Sequence, residues 1–231
     1  MTGGDRNQVV PWGRSLEEYR QMFMLSDEEL KLRVLGVGDG PASFNSEMKA
    51  LNHTVVSIDP IYAFSKEQIE ERIEKTFATV ISQVKQKPDD FVWDFFASPE
   101  HLGCYRLETM QKFLQDFDMG KVQGRYLPQS LPKLCFGDGQ FDLAICSHLL
   151  FLYSDQLSLA FHRESIQELC RVSREVRIFP LLALDCRKSP HISPIQSSCR
   201  DMGFTEGIYP VAYEFQKGGN AMMRIRRATK E

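Results

Sequence analysis

No stretch of this chain approaches the roughly 18 consecutive apolar residues that a membrane-spanning helix needs, so no membrane partner is expected. An excess of one charge is also missing. Lys and Arg number 28 against 31 Asp and Glu, a net charge of −3, which gives no electrostatic case for a nucleic-acid backbone or an anionic lipid surface. The six cysteines include no C-x-x-C pair, and Cys135, Cys146 and Cys170 fall in apolar segments. Reduced core thiols in a cytoplasmic protein are therefore expected, with neither a disulfide framework nor a metal site. The opening, Met1–Gln8, is polar and has no apolar signal core.

What remains is the composition of a soluble globular chain. Its 231 residues are 42% hydrophobic and 26% charged, enough for one domain, 1–231, with a substantial core.

The most informative stretch is Val34-Leu35-Gly36-Val37-Gly38-Asp39-Gly40-Pro41. A short buried strand runs into a glycine-rich turn, and Pro41 suits the first turn of a helix. Glycines let a ligand approach the backbone, and a helix start offers free N–H groups. Nineteen residues past Gly40, Asp59 closes a second apolar strand, Thr54–Ile58, and Pro60 follows it. An acid at that place can accept hydrogen bonds from the hydroxyls of a ribose. The dinucleotide fingerprint G-x-G-x-x-G is incomplete, because Ser43 or Pro41 stands at the third glycine position.

Here the sequence resembles the class I S-adenosylmethionine-dependent methyltransferases. Their (D/E)-x-G-x-G motif aligns with Gly36-Val37-Gly38-Asp39-Gly40, and Asp59 matches their ribose acid. The match departs at Gly36, where the family carries an acid, and Asp39 is the available replacement. The resemblance implies an α/β fold: a Rossmann-like, doubly wound, seven-stranded, mostly parallel sheet with a C-terminal antiparallel hairpin. It also implies S-adenosyl-L-methionine as cofactor, with Gly36, Gly38, Asp39, Gly40, Asp59 and Pro60 around it. Gln129 stands near the family's adenine-binding acid. Ser147 and His148, at the end of the Phe141–Cys146 strand, fall beside the reacting methyl group, and His148 is the candidate general base. The (N/D)-P-P-(Y/F) signature of amide methyltransferases is absent, so the expected acceptor is a small molecule.

Between the second and third strands, Ile61–Gly120 reads as two helices, an inserted helical cap whose stripe ends at Gly120. Within it, Trp93, His101, Tyr105 and Arg106 are candidates for substrate contact, with Arg106 otherwise on a solvated face. Lys121–Tyr126 is the expected third strand. Asp155 is expected to cap the next helix, with His162 on its exposed side. A hairpin is expected from Tyr209–Phe215 and Ala221–Ile225 about the Lys217–Asn220 turn. Arg224, Arg226, Arg227 and Lys230 form a basic end. Two other functions fit this pattern: a non-catalytic, methyltransferase-like scaffold, and an NAD(P)-dependent oxidoreductase.

Overall fold

The computed structural model describes residues 12–227; Met1–Gln8 and Lys230 lie outside them. Seven strands form one sheet: β1 (Val34–Val37), β2 (Val55–Ile58), β3 (Tyr126–Leu127), β4 (Phe141–Ser147), β5 (Ser173–Phe179), β6 (Phe204–Pro210) and β7 (Ala221–Arg227). Their order is β3-β2-β1-β4-β5-β7-β6. The first five are parallel, and β7 runs antiparallel to both β5 and β6. Helices cover both faces, which is why β1 and β4 are almost continuously apolar instead of alternating. The chain order reverses between β1 and β4, so a crevice opens at their carboxyl ends.

The helices start where the side chains can serve their free N–H groups. α1 (Leu16–Phe23) opens on a reciprocal capping box between Ser15 and Glu18. α2 (Phe44–Ala50) follows the glycine loop. α3 (Lys66–Gln86) and α4 (Pro99–Val122) are capped by Ser65 and Ser98, the latter with Pro99 in the first turn. α5 (Leu159–Val172) is capped by Ser158, not Asp155, because the Ser158 hydroxyl is the one that accepts from the Phe161 N–H. α6 (Ile192–Asp201) precedes the last two strands. One apolar core lies between the sheet and α5/α6, and a second beneath α1 and α2. α4 packs on α2 and β3, and α3 packs on α4.

Four further expectations need correction. Gly120 does not stop α4. It is a packing glycine, since the Tyr126 ring and the Arg125 guanidinium occupy the space of its missing Cβ. The chain turns instead at Gly124, with φ +72°, so the third strand is Tyr126–Leu127 and not Lys121–Tyr126. The penultimate strand is Phe204–Pro210; residues 211–220 form a connection that carries Tyr213 into the interior at 2% exposure. His162 is fully buried, its ring against those of Phe151 and His191.

Candidate functional site

The glycine loop is held from several sides. Gly38 N–H donates to the Ile58 carbonyl at 2.9 Å, and the Tyr62 hydroxyl donates to the Gly40 carbonyl at 2.7 Å. Gly38 and Gly40 both adopt positive φ, +69° and +54°, a conformation side-chain-bearing residues rarely take. Asp59 joins the loop to the turn after β2: its two oxygens accept from Gly40 N–H at 3.0 Å and Ile61 N–H at 2.8 Å. Burial pushes its carboxyl up to about 6, against the pull of those two hydrogen bonds. Pro60 begins the turn and is exposed.

Asp39 explains Gly36. Its carboxylate folds back over β1 and fills the space that a side chain at residue 36 would take; Asp39 Cγ lies 2.7 Å from the Cβ position. An acidic group therefore stands above residue 36 although residue 36 has no side chain. The Tyr19 hydroxyl donates to one Asp39 oxygen at 2.7 Å and Ser57 Oγ to the other at 2.6 Å. Asn45 orients Ser57 from behind, at 3.0 Å. Burial pushes Asp39 up to about 7; the two hydroxyls oppose that rise and the charge of Asp59 adds to it. Among the described residues no cation pairs with either Asp39 or Asp59. Donors from a ligand would relieve both.

Across the crevice, Ser147 is buried, and its hydroxyl lies 2.9 Å from His148 Nδ1. His148 has φ +51°, its N–H donates to the Phe179 carbonyl at 2.7 Å, and its ring meets that of Phe179. Burial and then the charges of Arg14 and Arg106 hold its imidazole well below the usual range, so it is neutral near pH 7. Gln129 is half-buried, and its carbonyl accepts from Cys135 N–H at 2.8 Å. It is thereby committed to its own loop by one end of the amide.

No protein-family model matches the chain. Over 220 residues it is 33% identical to the uncharacterized protein MJ0045 of Methanocaldococcus jannaschii, covering 95% of this chain and 96% of that one. This chain belongs to that protein's family. Among solved structures, mitomycin 7-O-methyltransferase MmcR is 11% identical, covers 92% of this chain and 54% of its own, and superposes with TM-score 0.50. Magnesium protoporphyrin IX methyltransferase from Synechocystis PCC 6803 is 13% identical over 92% of this chain and 78% of its own, at TM-score 0.49. The fold of this family member is that of the class I S-adenosylmethionine-dependent methyltransferases.

The family member's four cap candidates each find a partner within the fold. Arg106 is fully buried, not solvated, and grips Glu18 with two bonds of 2.5 and 2.6 Å, while the Tyr213 hydroxyl adds a third at 2.8 Å. Burial would raise Glu18, yet Arg106 holds it below the ordinary carboxylate range. The signal was present: Arg106 falls in the apolar stripe of α4 with Leu102, Met110 and Phe113, a placement that demands a buried partner. Tyr105 bonds Ser15 Oγ at 2.7 Å, and Trp93 donates to the Pro88 carbonyl at 3.0 Å, packed on Phe91 and Phe215. His101 is exposed and accepts from Ala97 N–H at 3.1 Å. Among the described residues no group of His, Cys, Asp and Glu could hold a metal, and no helix is long and apolar enough to cross a membrane.

Proposed function

We propose that this chain binds S-adenosyl-L-methionine and methylates a small-molecule acceptor. The observation that carries this reading is the Asp39 carboxylate above Gly36: an unpaired acid at the end of β1, facing a second one, Asp59, at the end of β2. Asp39 would receive the ammonium of the cofactor's amino-acid end, and Asp59 the ribose hydroxyls. Gly36 makes room for Asp39. Gly38 and Gly40 let the ligand reach the backbone, Pro60 borders the ribose, and Gln129 uses its free amide end toward adenine. Once bound, the cofactor supplies an electrophilic methyl group on a good leaving group, so alignment and exclusion of water are what the protein must add. Ser147 orients His148, whose neutral imidazole takes the proton of the acceptor nucleophile. Ile61–Gly120 is the helical cap of a single cytoplasmic domain and closes the acceptor side.

A second reading, a non-catalytic module with the same fold, is favoured by one contact. Leu149 packs onto the loop, its Cβ and Cδ2 3.1 Å from the Cβ position of Gly38. Calorimetric titration with S-adenosylmethionine, S-adenosylhomocysteine and NADH separates the alternatives. Micromolar binding of the adenosyl compounds, lost in Asp59→Ala, is the expected outcome. A folded protein that binds neither of them sinks the methyltransferase reading, and NADH binding in their place would establish a nicotinamide site.

A further inference from the structure

The strap Trp12–Ser15 crosses from the cap to the glycine loop and is tied at several points. Trp12 stacks on Phe77 of α3, with ring centroids 5.8 Å apart. Gly13 lies so close to the Pro41 carbonyl that no side chain would fit there, and its own carbonyl accepts from Arg106 at 3.2 Å. The Arg14 carbonyl accepts from Ser43 N–H at 3.1 Å, at the start of α2, and Ser15 Oγ bonds Tyr105. The strap thus holds Arg14 between α1 and the entrance of α2.

Arg14 is left in an unusual position. Its Nη1 donates to the Trp12 carbonyl at 3.1 Å, but Nε is inaccessible to solvent and has no hydrogen-bond partner. Among the described residues no carboxylate pairs with it. Glu18, whose charge Arg14 feels, is already claimed by Arg106, Tyr213 and the Ser15 N–H. Two arginines therefore share one carboxylate, leaving one positive charge uncompensated. A half-buried guanidinium whose Nε is shut off from water is costly in that state unless a counter-ion arrives, and its planar fork suits a carboxylate.

We propose that Arg14 is the counter-charge for a carboxylate borne by a small molecule bound in this crevice. The proposal rests on reading the crevice as a ligand site. Two sources share this chemistry: the amino-acid end of the cofactor, and an acid group on the methyl acceptor. In either case Arg14 and Asp39 form opposite poles, one for an anion and one for a cationic or hydroxylic donor.

The test compares the full-length protein with Arg14→Gln and Arg14→Lys. Each is titrated with S-adenosylhomocysteine and with 5′-methylthioadenosine, which lacks the amino-acid carboxylate. Thermal shifts are then recorded with benzoate and its neutral analogue benzamide. A loss of tenfold or more in S-adenosylhomocysteine affinity in Arg14→Gln, with 5′-methylthioadenosine unchanged, supports the proposal and assigns the cofactor as source. Unchanged S-adenosylhomocysteine binding, with the benzoate-specific shift abolished, supports it and assigns the acceptor. Arg14→Lys keeps the charge without the fork and is expected to fall between; it replaces Arg14→Gln if that variant does not fold. A variant that loses only thermal stability and keeps wild-type discrimination in both pairs overturns the proposal. Wild-type protein that binds no adenosyl compound, yet keeps an Arg14-dependent benzoate shift, would sink the methyltransferase reading and leave the Arg14 site standing.

Discussion

Glu18 and Asp39 are both buried carboxylates, and each accepts a tyrosine hydroxyl, yet their environments drive them in opposite directions. Glu18 faces the Arg106 guanidinium and stays ionised. Asp39 has only neutral hydroxyls, and burial raises it to about 7. The first carboxylate is complete within the fold and ties α1 to α4. The second is left short of positive charge in a crevice lined by glycines. Burial alone thus says little about a carboxylate's role, and the charge of its partner says much more.

The comparison breaks most severely at Arg106. Replacing it by Met leaves Glu18 buried and charged without its cation, and stability should fall by about 3–5 kcal/mol, measured by urea denaturation. Gly36→Ala attacks the other carboxylate. Its methyl group would collide with the Asp39 side chain, and the strain of overpacking is expected to cost about 1–3 kcal/mol. Displacement of Asp39 should weaken S-adenosylhomocysteine binding in the same variant, read by calorimetry.

The smallest effect sharpens the contrast through pH. Asp39 has its folded pKa raised from 3.8 to about 7. The folded protein therefore retains a proton that the unfolded chain has released, and this contribution to stability is complete below about pH 4 and lost as pH rises through 7. Glu18 has the opposite sign: its folded pKa is depressed, so its contribution is present above the ordinary carboxylate range and lost on acidification. Asp39→Asn should flatten the decline in denaturation midpoint between about pH 4 and 7, the interval from the unfolded to the folded pKa, and leave the Glu18-dependent loss on further acidification unchanged. An unaltered decline across that interval would show that Asp39 titrates elsewhere.

Much of the fold was legible because it rests on local rules. Apolar runs with glycine turns marked β1, β2 and β4, and α1, α3 and α4 each start on a serine that caps its own helix. Errors came where a residue's local preference served a distant neighbour. Gly120 looked like a helix stop but makes room for Tyr126. His162 looked solvated, but helix α5 turns it onto Phe151 and His191. Of the candidate site, Gly38, Gly40 and Asp59 could be read from spacing. The isolation of Arg14 could not, since it lies in the lack of a hydrogen-bond partner for its Nε within the fold.

The sequence by itself determined a glycine loop between two strands and an acid at the end of the second, because each follows from periodicity and turn chemistry over a few residues; the mostly parallel sheet was implied by the family resemblance. Only the tertiary structure decided that Asp39 stands in for a side chain at residue 36, that Glu18 belongs to Arg106, and that Arg14 is unmatched. Those are questions of which charges meet in the interior, and burial strengthens or penalises charges according to neighbours far away along the chain.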